Sequence, residues 1–191
     1  MKVKVCMVGD AAVGKTSLVR RFVLDNFSDE YQATLGTKVL SRDVNVRTGG
    51  RDVSIKMMIW DIIGETSVLP DIGESVFHNV QGIVAVCDIT RYSTFEHLPV
   101  WLGSVERVAG DVPKALAVNK VDLKGEFLLL YDEYAVRQYA GEIEARSYMT
   151  SAKTGENVAL MFTTLAADIA SCVSHNRFAI PLHAPMAGRR V

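Results

Sequence analysis

The sequence predicts an α/β fold in which helices cover both faces of a mainly parallel sheet. Two observations predict this class. Short apolar runs alternate with amphipathic stretches along most of the chain, and 49% of the 191 residues are apolar while 23% are charged. Such alternation is typical of parallel sheets whose connections pack on both faces. The composition excludes disordered, collagen-like and coiled-coil chains, and the length fits one domain.

The predicted strands are apolar runs or stretches in which apolar and polar residues alternate. Residues 52–59 mostly alternate, and the turn formed by Gly49 and Gly50 before them predicts a hairpin with residues 38–47. The predicted strands are residues 2–8, 38–47, 52–59, 82–88, 115–119 and 146–150. Apolar residues at helical spacing predict helices at residues 15–25, 94–109, 132–144 and 158–173.

Residues 9–16 read GDAAVGKT and match the phosphate-loop pattern G-x-x-x-x-G-K-[ST]. The motif follows a predicted strand and precedes a predicted helix, which is the setting that it requires. Backbone N–H groups of such a loop, together with the helix dipole, hold a polyphosphate. Lys15 is placed for the β- and γ-phosphates, and the Thr16 hydroxyl for Mg²⁺. A glycine-rich turn with a solvated lysine is the alternative, and the loop alone does not separate kinases, ATPases and GTPases.

Two later segments indicate which base is bound. Residues 119–122 read NKVD, and the carboxylate of Asp122 can accept hydrogen bonds from the N1–H and N2–H₂ groups of guanine. Adenine has no matching pair of donors there. Residues 150–153 read TSAK after another predicted strand, where a backbone N–H can donate to guanine O6. Taken alone, either segment is equally well explained as a surface turn.

Together and in this order, these motifs resemble the Ras superfamily of small GTPases, most closely its Rab branch. Trp60-Asp61, CDIT at residues 87–90 and TSAKTGEN at residues 150–157 also carry the resemblance, which covers residues 1 to about 175. It implies a P-loop NTPase fold with a six-stranded mixed sheet, in which five strands are parallel and one edge strand is antiparallel. It also implies GTP or GDP with Mg²⁺ as ligands, bound at the carboxyl ends of the strands.

The resemblance implies a role for individual residues. Phe27 would contact the guanine edge-on, and Lys120 and Lys153 would cover the base. Thr34 in switch I and Gly64 in switch II would sense the γ-phosphate, so its loss would release both switches. The expected nucleotide-binding residues are Ala12, Val13, Gly14, Lys15, Thr16, Ser17, Phe27, Thr34, Gly64, Asn119, Lys120, Asp122, Ser151, Ala152 and Lys153. The expected metal ligands are Thr16, Thr34 and, through water, Asp61, and the expected catalytic residues are Lys15, Gly64 and Glu65.

Glu65 departs from the family pattern, which has a glutamine after the switch II glycine. An ionised glutamate accepts a hydrogen bond from water but cannot donate one to the developing phosphoryl charge, and its own charge opposes a triphosphate. Hydrolysis is therefore expected to be no faster than about 10⁻⁴ s⁻¹ without a partner. Two alternatives stay open: Glu65 positions water in an altered geometry, or the chain is a scaffold that holds GTP with negligible hydrolysis.

Smaller features complete the sequence-based expectations. Gln32 stands where an arginine finger supplied in cis would lie, so a partner is expected to supply any acceleration. Arg20 and Arg21 on the first predicted helix are interpreted as solvated surface. Protein effectors, an activating partner and an exchange partner are expected to use the switches.

The ends of the chain and its charge predict where it works. A net charge of −1 gives no reason to expect nucleic acid or an anionic membrane as a partner. Residue 2 is Lys rather than Gly, no apolar stretch is long enough for a signal peptide or a membrane span, and the last residues contain no cysteine. We expect a monomeric cytoplasmic protein without its own membrane anchor, with a GTPase domain at residues 1–175 and a short flexible tail at residues 176–191.

Overall fold

A computed structural model of the chain describes residues 1–28, 36–64, 74–123 and 133–174. Within these ranges six strands form one sheet in the order β2-β3-β1-β4-β5-β6. The strands are β1 (Lys2–Val8), β2 (Thr37–Thr48), β3 (Arg51–Ile62), β4 (Gly82–Asp88), β5 (Lys114–Asn119) and β6 (Arg146–Met149). The helices are α1 (Lys15–Leu24), α2 (Ser93–Glu96), α3 (Leu98–Ala109), α4 (Glu133–Glu142) and α5 (Val158–Ser174).

The sheet is mixed in the predicted way. β1 pairs in parallel with β3 and β4, β4 with β5, and β5 with β6, whereas the edge strand β2 is antiparallel to β3. Gly49 and Gly50 form the hairpin turn with φ of 57° and 77°, a region that glycine adopts at little cost. The predicted α/β class, strand count and antiparallel edge are therefore confirmed. The hairpin strands are longer than predicted, because the antiparallel ladder continues from the Thr37–Ile62 pair to the Thr48–Arg51 pair.

The two faces of the sheet carry two separate cores. Side chains alternate along each strand, so Val5 and Met7 of β1 face one core while Cys6 and Val8 face the other. The first core packs against α1 and α5, where the Phe22 and Phe162 rings stack with centroids 4.3 Å apart. The second core packs against α3 and α4. Both faces of the central strands are buried from solvent, which explains their nearly continuous apolar sequence.

One predicted helix is in fact two helices. The stretch from residue 94 to residue 109 forms two helices, α2 and α3, which meet at His97. Pro99 lies in the first turn of α3, where its missing N–H costs nothing. Inside a continuous helix the same ring would clash with the carbonyl four residues earlier, so the first helix ends before it.

The parallel strands bring five sequence-distant segments to one edge of the sheet. The segments after β1, β3, β4, β5 and β6 all leave the carboxyl ends of neighbouring strands. The phosphate-loop motif and the NKVD and TSAK segments are three of them. In the part of the chain that the structure describes, no helix is both long and apolar enough to cross a membrane.

Candidate functional site

The loop between β1 and α1 has a backbone shape that only glycine permits at two positions. Gly9 has φ of +135°, and a Cβ there would overlap the Val86 carbonyl oxygen. Gly14 has φ of +97°, and a Cβ there would overlap the side-chain amide of Asn119. Helix α1 then begins directly, with the Leu18 N–H donating to the Gly14 carbonyl at 2.9 Å. The first N–H groups of a helix have no partner within the helix itself, and they point in the direction from which an anion binds.

Lys15 is buried at the mouth of this loop. Its side chain is nearly enclosed, with 6% of the residue exposed, and its Nζ donates to the carbonyl oxygens of Gly9 at 2.6 Å and Asp10 at 2.8 Å. Burial lowers the pKa of Lys15 to about 8, although the nearby carboxylates of Asp61 and Asp10 oppose that shift. Gly64 approaches so closely that a Cβ there would overlap Lys15 Nζ and lie 2.5 Å from the Asp10 carbonyl. Lys15 therefore places a cation where the loop and the end of β3 converge.

Asp61 and Thr16 form an oxygen-rich corner beside Lys15. The Thr16 hydroxyl donates to Oδ2 of Asp61, which is fully buried near the end of β3. The other carboxylate oxygen, Oδ1, is buried with no hydrogen-bond partner among the described residues. Burial raises the pKa of Asp61, and the Thr16 hydrogen bond and the Lys15 charge partly offset this. A buried carboxylate oxygen without a donor, next to a hydroxyl, fits a hard divalent cation such as Mg²⁺.

Asn119 joins the phosphate loop to the segment after β6. It ends β5 and is 1% exposed. Its Nδ2 donates to the Val13 carbonyl at 2.9 Å, and its Oδ1 accepts from the Ala152 N–H at 3.2 Å. The Thr150 hydroxyl lies 3.3 Å from the same oxygen. One buried amide therefore uses both its donor and its acceptor to fix two loops from opposite sides of the site.

The segments after β5 and β6 are also joined directly. The Ser151 hydroxyl donates to Oδ1 of Asp122 at 2.5 Å and accepts from the Thr154 N–H at 3.0 Å. The Val121 N–H donates to the Thr150 carbonyl at 3.1 Å. These bonds hold the Asp122 carboxylate beside the Ser151–Lys153 backbone.

Asp88 is a site residue to which the sequence analysis gave no role. It lies at the end of β4, is 1% exposed, and accepts from Lys120 Nζ at 2.7 Å and Arg91 Nε at 3.1 Å. Arg91 in turn donates to the Ala11 carbonyl of the phosphate loop at 2.8 Å. Burial alone would raise the pKa of Asp88, but hydrogen bonds from Lys120 and Thr90 lower it below its usual value. The sequence shows Asp88 within the CDIT segment, but it does not show that Lys120 and Arg91 are its ion-pair partners.

The interpretation of Arg21 as solvated surface is wrong. Arg20 is exposed as expected, but only 20% of the Arg21 side chain is exposed. Its guanidinium donates to the carbonyl oxygens of Ala152 at 2.8 Å and Lys153 at 2.7 Å. The two arginines differ because one helical step of 100° carries residue 21 to the side of α1 that faces the segment after β6.

The remaining predicted residues fall into two groups. Phe27 is half-buried against the core of α1 and α5, Ser17 is half-buried in the first turn of α1, and Lys153 has an exposed side chain. Thr34 and Glu65 lie outside the described residues. The structure therefore brings together the described members of the predicted set from the phosphate loop, β3, NKVD and TSAK. The roles of all these residues stay predictions.

Comparison with known proteins agrees with this geometry. The model of the Ras family matches residues 4–171. The chain is 34% identical over 164 residues to the GTP-binding protein ypt5 of Schizosaccharomyces pombe, covering 85% of this chain and 75% of that protein. It is also 34% identical over 167 residues to the Ras-related proteins Rab-21 of Geodia cydonium and Rab-13 of Rattus norvegicus, covering 87% of this chain and 70% and 79% of those proteins. With the fold, the ordered motifs and these matches agreeing, the chain belongs to the Ras family and is a Rab-like small GTPase.

Proposed function

We propose that this chain binds GTP and GDP together with Mg²⁺ and acts as a regulatory switch that hydrolyses GTP slowly. The observation that carries the proposal is Asn119, whose buried amide holds the Val13 carbonyl and the Ala152 N–H at the same time. A nucleotide is long enough to need a phosphate site and a base site at a fixed separation. A single side chain that bridges the two loops supplies that separation.

The phosphate side of the proposal rests on charge and backbone donors. The N–H groups of residues 12–17 supply the cradle, and Lys15 supplies the cation for the β- and γ-phosphates. Because Lys15 is buried beside carbonyl oxygens, its charge is poorly screened and acts strongly on a phosphate in contact with it. Gly64 lies against this ammonium, so its N–H is close to where the terminal phosphate would end.

The Mg²⁺ side of the proposal rests on Thr16 and Asp61. Mg²⁺ prefers oxygen donors and keeps several waters, so the Thr16 hydroxyl and phosphate oxygens would bind it directly, the Asp61 carboxylate would hold it through water, and Thr34 would complete the set. When bound, Mg²⁺ neutralises charge on the phosphate oxygens during transfer. Thr16 and Asp61 are already joined by a hydrogen bond, so the chain holds both oxygens at one place.

The base side of the proposal rests on Asp122 and its neighbours. The Asp122 carboxylate would accept from guanine N1–H and N2–H₂, and a backbone N–H of the Ser151–Lys153 segment would donate to O6. Lys120 and Lys153 would cover the base, and Phe27 would contact it edge-on. The Ser151 hydroxyl donates to Oδ1 of Asp122, which supports a fixed orientation for that carboxylate.

Base choice is tested by titrating fluorescently labelled GDP, GTP and ATP, each with and without Mg²⁺. We expect tight binding of both guanine nucleotides, weak binding of ATP, and faster release when Mg²⁺ is chelated. Asp122→Ala should lose most of the preference for guanine, whereas Asp111→Ala, which changes an exposed carboxylate on the α3–β5 connection, should keep it. ATP binding as tight as GDP binding would overturn the proposal.

A second candidate is a scaffold that holds GTP and almost never hydrolyses it. Glu65 at the position of the usual glutamine favours it, since an ionised carboxylate cannot donate to the developing phosphoryl charge. Single-turnover hydrolysis by the natural chain and by Glu65→Gln separates the candidates. A much faster variant supports the scaffold, while equal rates mean that Glu65 positions water adequately and reject it.

The partners follow from the switch proposal. Effectors, an activating protein and an exchange factor would contact switch I and switch II, whose Thr34 and Glu65 lie outside the described residues. We further propose that residues 1–175 form the GTPase domain and that the chain works as a cytoplasmic monomer. Sedimentation in GDP and in a non-hydrolysable GTP analogue tests the last point, and a stable dimer in either nucleotide would contradict it.

A further inference from the structure

Helix α1 hydrogen-bonds to the segment after β6 through the Arg21 side chain. Arg21 Nε donates to the Ala152 carbonyl at 2.8 Å, and Nη2 donates to the Lys153 carbonyl at 2.7 Å. The remaining nitrogen, Nη1, donates to Oδ1 of Asp25 at 3.1 Å. A planar guanidinium presents its donors as a rigid fork, so two consecutive carbonyls and a carboxylate fix its orientation.

The same helix holds the other end of the proposed site. α1 begins at Lys15, and Arg21 follows six residues later, about 9 Å along the helix axis. Leu18, Val19 and Phe22 of the same helix are buried, which fixes the helix against the sheet. The distance from the phosphate loop to the Ala152 carbonyl is therefore set by one packed helix.

The peptide groups of Ala152 are held from both sides. Its N–H donates to Asn119 Oδ1, and its carbonyl accepts from Arg21. Ala152 itself is buried, with 4% exposed, so solvent is poorly placed to replace a lost donor. The Ala152 carbonyl shares a planar peptide group with the Lys153 N–H. The direction of that N–H, one of the backbone donors that the proposed function offers to guanine O6, therefore depends on the guanidinium that holds the carbonyl.

We propose that Arg21 is a positioning residue for guanine recognition, because it fixes the backbone of Ser151–Lys153 from the side away from the base. The inference rests on the proposed function and assigns it a residue that contacts no nucleotide. Removing the fork leaves two carbonyls without their charged donor and frees the segment to rotate. Recognition at O6 weakens, and nucleotide leaves sooner, while the Asp122 contacts with N1 and N2 stay.

The test compares Arg21→Gln with Arg20→Gln, a matched change at the exposed neighbour. Release of fluorescent GDP should be about tenfold faster in Arg21→Gln, the effect of losing about one net charged hydrogen bond, and unchanged in Arg20→Gln. Two analogues separate positioning from general loosening. Preference for GDP over 6-thioguanosine diphosphate, whose sulfur is a weak acceptor at position 6, should fall about threefold. Preference for GDP over inosine diphosphate, which lacks the 2-amino group, should be kept.

Arg21→Lys guards against a variant that fails to fold, because it keeps the charge and the aliphatic stem but not the fork. We expect an intermediate release rate. GDP release within twofold of the natural rate in both Arg21 variants would overturn the inference, and so would a parallel fall in both analogue preferences. If the natural chain binds no GDP, the proposed function fails first, and this inference fails with it. If it binds GDP and the Arg21 variants behave normally, only this inference fails.

Discussion

The two halves of the candidate site depend on different kinds of interaction. The phosphate side, residues 9–17 with Asp61 and Gly64, depends on backbone conformation and close approach. The base side, Asn119–Asp122 with Ser151–Lys153, depends on side chains that hydrogen-bond to loops. On the phosphate side a single added methyl group overlaps backbone or a buried amide. On the base side the geometry is shared among Asn119, Ser151, Asp88 and Arg21.

This difference predicts two kinds of response to mutation. Close-packed neighbours in a loop cannot move aside for an added atom, so substitutions on the phosphate side should abolish nucleotide binding. A network of several hydrogen bonds loses one member at a time, so changes on the base side should be graded.

Gly14→Ala should abolish nucleotide binding. The new Cβ would overlap the Asn119 amide, and φ of +97° is strained for alanine. We expect at least about a 100-fold loss of GDP affinity, measured by titration. Gly103→Ala is the control, because a Cβ at this glycine in α3 meets nothing within 4 Å. It should keep GDP affinity and raise the free energy of unfolding by about 0.5–1 kcal/mol. Normal GDP affinity in Gly14→Ala would contradict the expectation that a steric conflict on the phosphate side abolishes binding.

Asn119→Ala tests the residue that joins the two sides. It leaves the buried Val13 carbonyl and Ala152 N–H without their partner, so we expect about a 30-fold loss of GDP affinity and about 2–4 kcal/mol of stability. Asn157→Ala is matched, because it removes another amide bond, from Nδ2 to the Met149 carbonyl at 2.7 Å, outside the site. It should lower stability, also because φ of 54° disfavours alanine, while affinity stays within about twofold. Equal affinity losses in the two variants would mean that Asn119 acts only on stability.

Asp88→Asn tests a graded base-side contact. It removes the charge that holds Lys120 and Arg91, whose side chains are 32% and 42% exposed, so water replaces part of the loss. GDP affinity should fall about tenfold, with about 1–2 kcal/mol lost in stability at neutral pH.

The pH dependence of that variant has a definite sign. The pKa of Asp88 is lowered in the folded chain, so its ion pairs stabilise the fold above the usual aspartate pKa and are lost as pH falls through the folded value. The difference in Tm between the natural chain and Asp88→Asn should therefore be constant above about pH 5 and shrink below about pH 4. A difference that grows in acid would contradict the assignment of Asp88 as the ionised partner.

The sequence predicted the phosphate side, which depends on backbone conformation, better than the base side, which depends on side-chain hydrogen bonds. The phosphate loop is a contiguous motif whose glycines report their own conformation, so residues 9–16 could be placed between a strand and a helix from the sequence alone. Asp88 and Arg21 bond to groups distant in the chain, and two of Arg21's acceptors are backbone carbonyls that no residue type reveals. The helix predicted at residues 94–109 failed for a local reason that was visible, since Pro99 cannot lie inside it. The Gly49-Gly50 turn predicted the hairpin, whereas the six-stranded sheet with one antiparallel edge strand was implied by the family resemblance.

Tyr139→Phe should have the smallest effect. It tests whether a change in core packing alters stability without altering GDP affinity. Tyr139 belongs to α4, and its ring meets Phe95 edge-on with centroids 5.2 Å apart. Its hydroxyl is buried without a hydrogen-bond partner among the described residues, and burial, with the charges of Glu106 and Glu142, raises its pKa to about 12. Phenylalanine keeps the ring contact and removes a desolvated polar group.

The expected gain from Tyr139→Phe is about 1 kcal/mol in the free energy of unfolding, or a rise of about 2–4 °C in Tm, with GDP affinity unchanged. Phe95→Leu is the companion variant, because it removes the ring contact and should lower Tm instead. A fall in Tm for Tyr139→Phe would show that the hydroxyl is bonded. A change in GDP affinity would show that the core beside β4 and β5 influences the base side directly, in which case the graded response expected there is not confined to the named contacts.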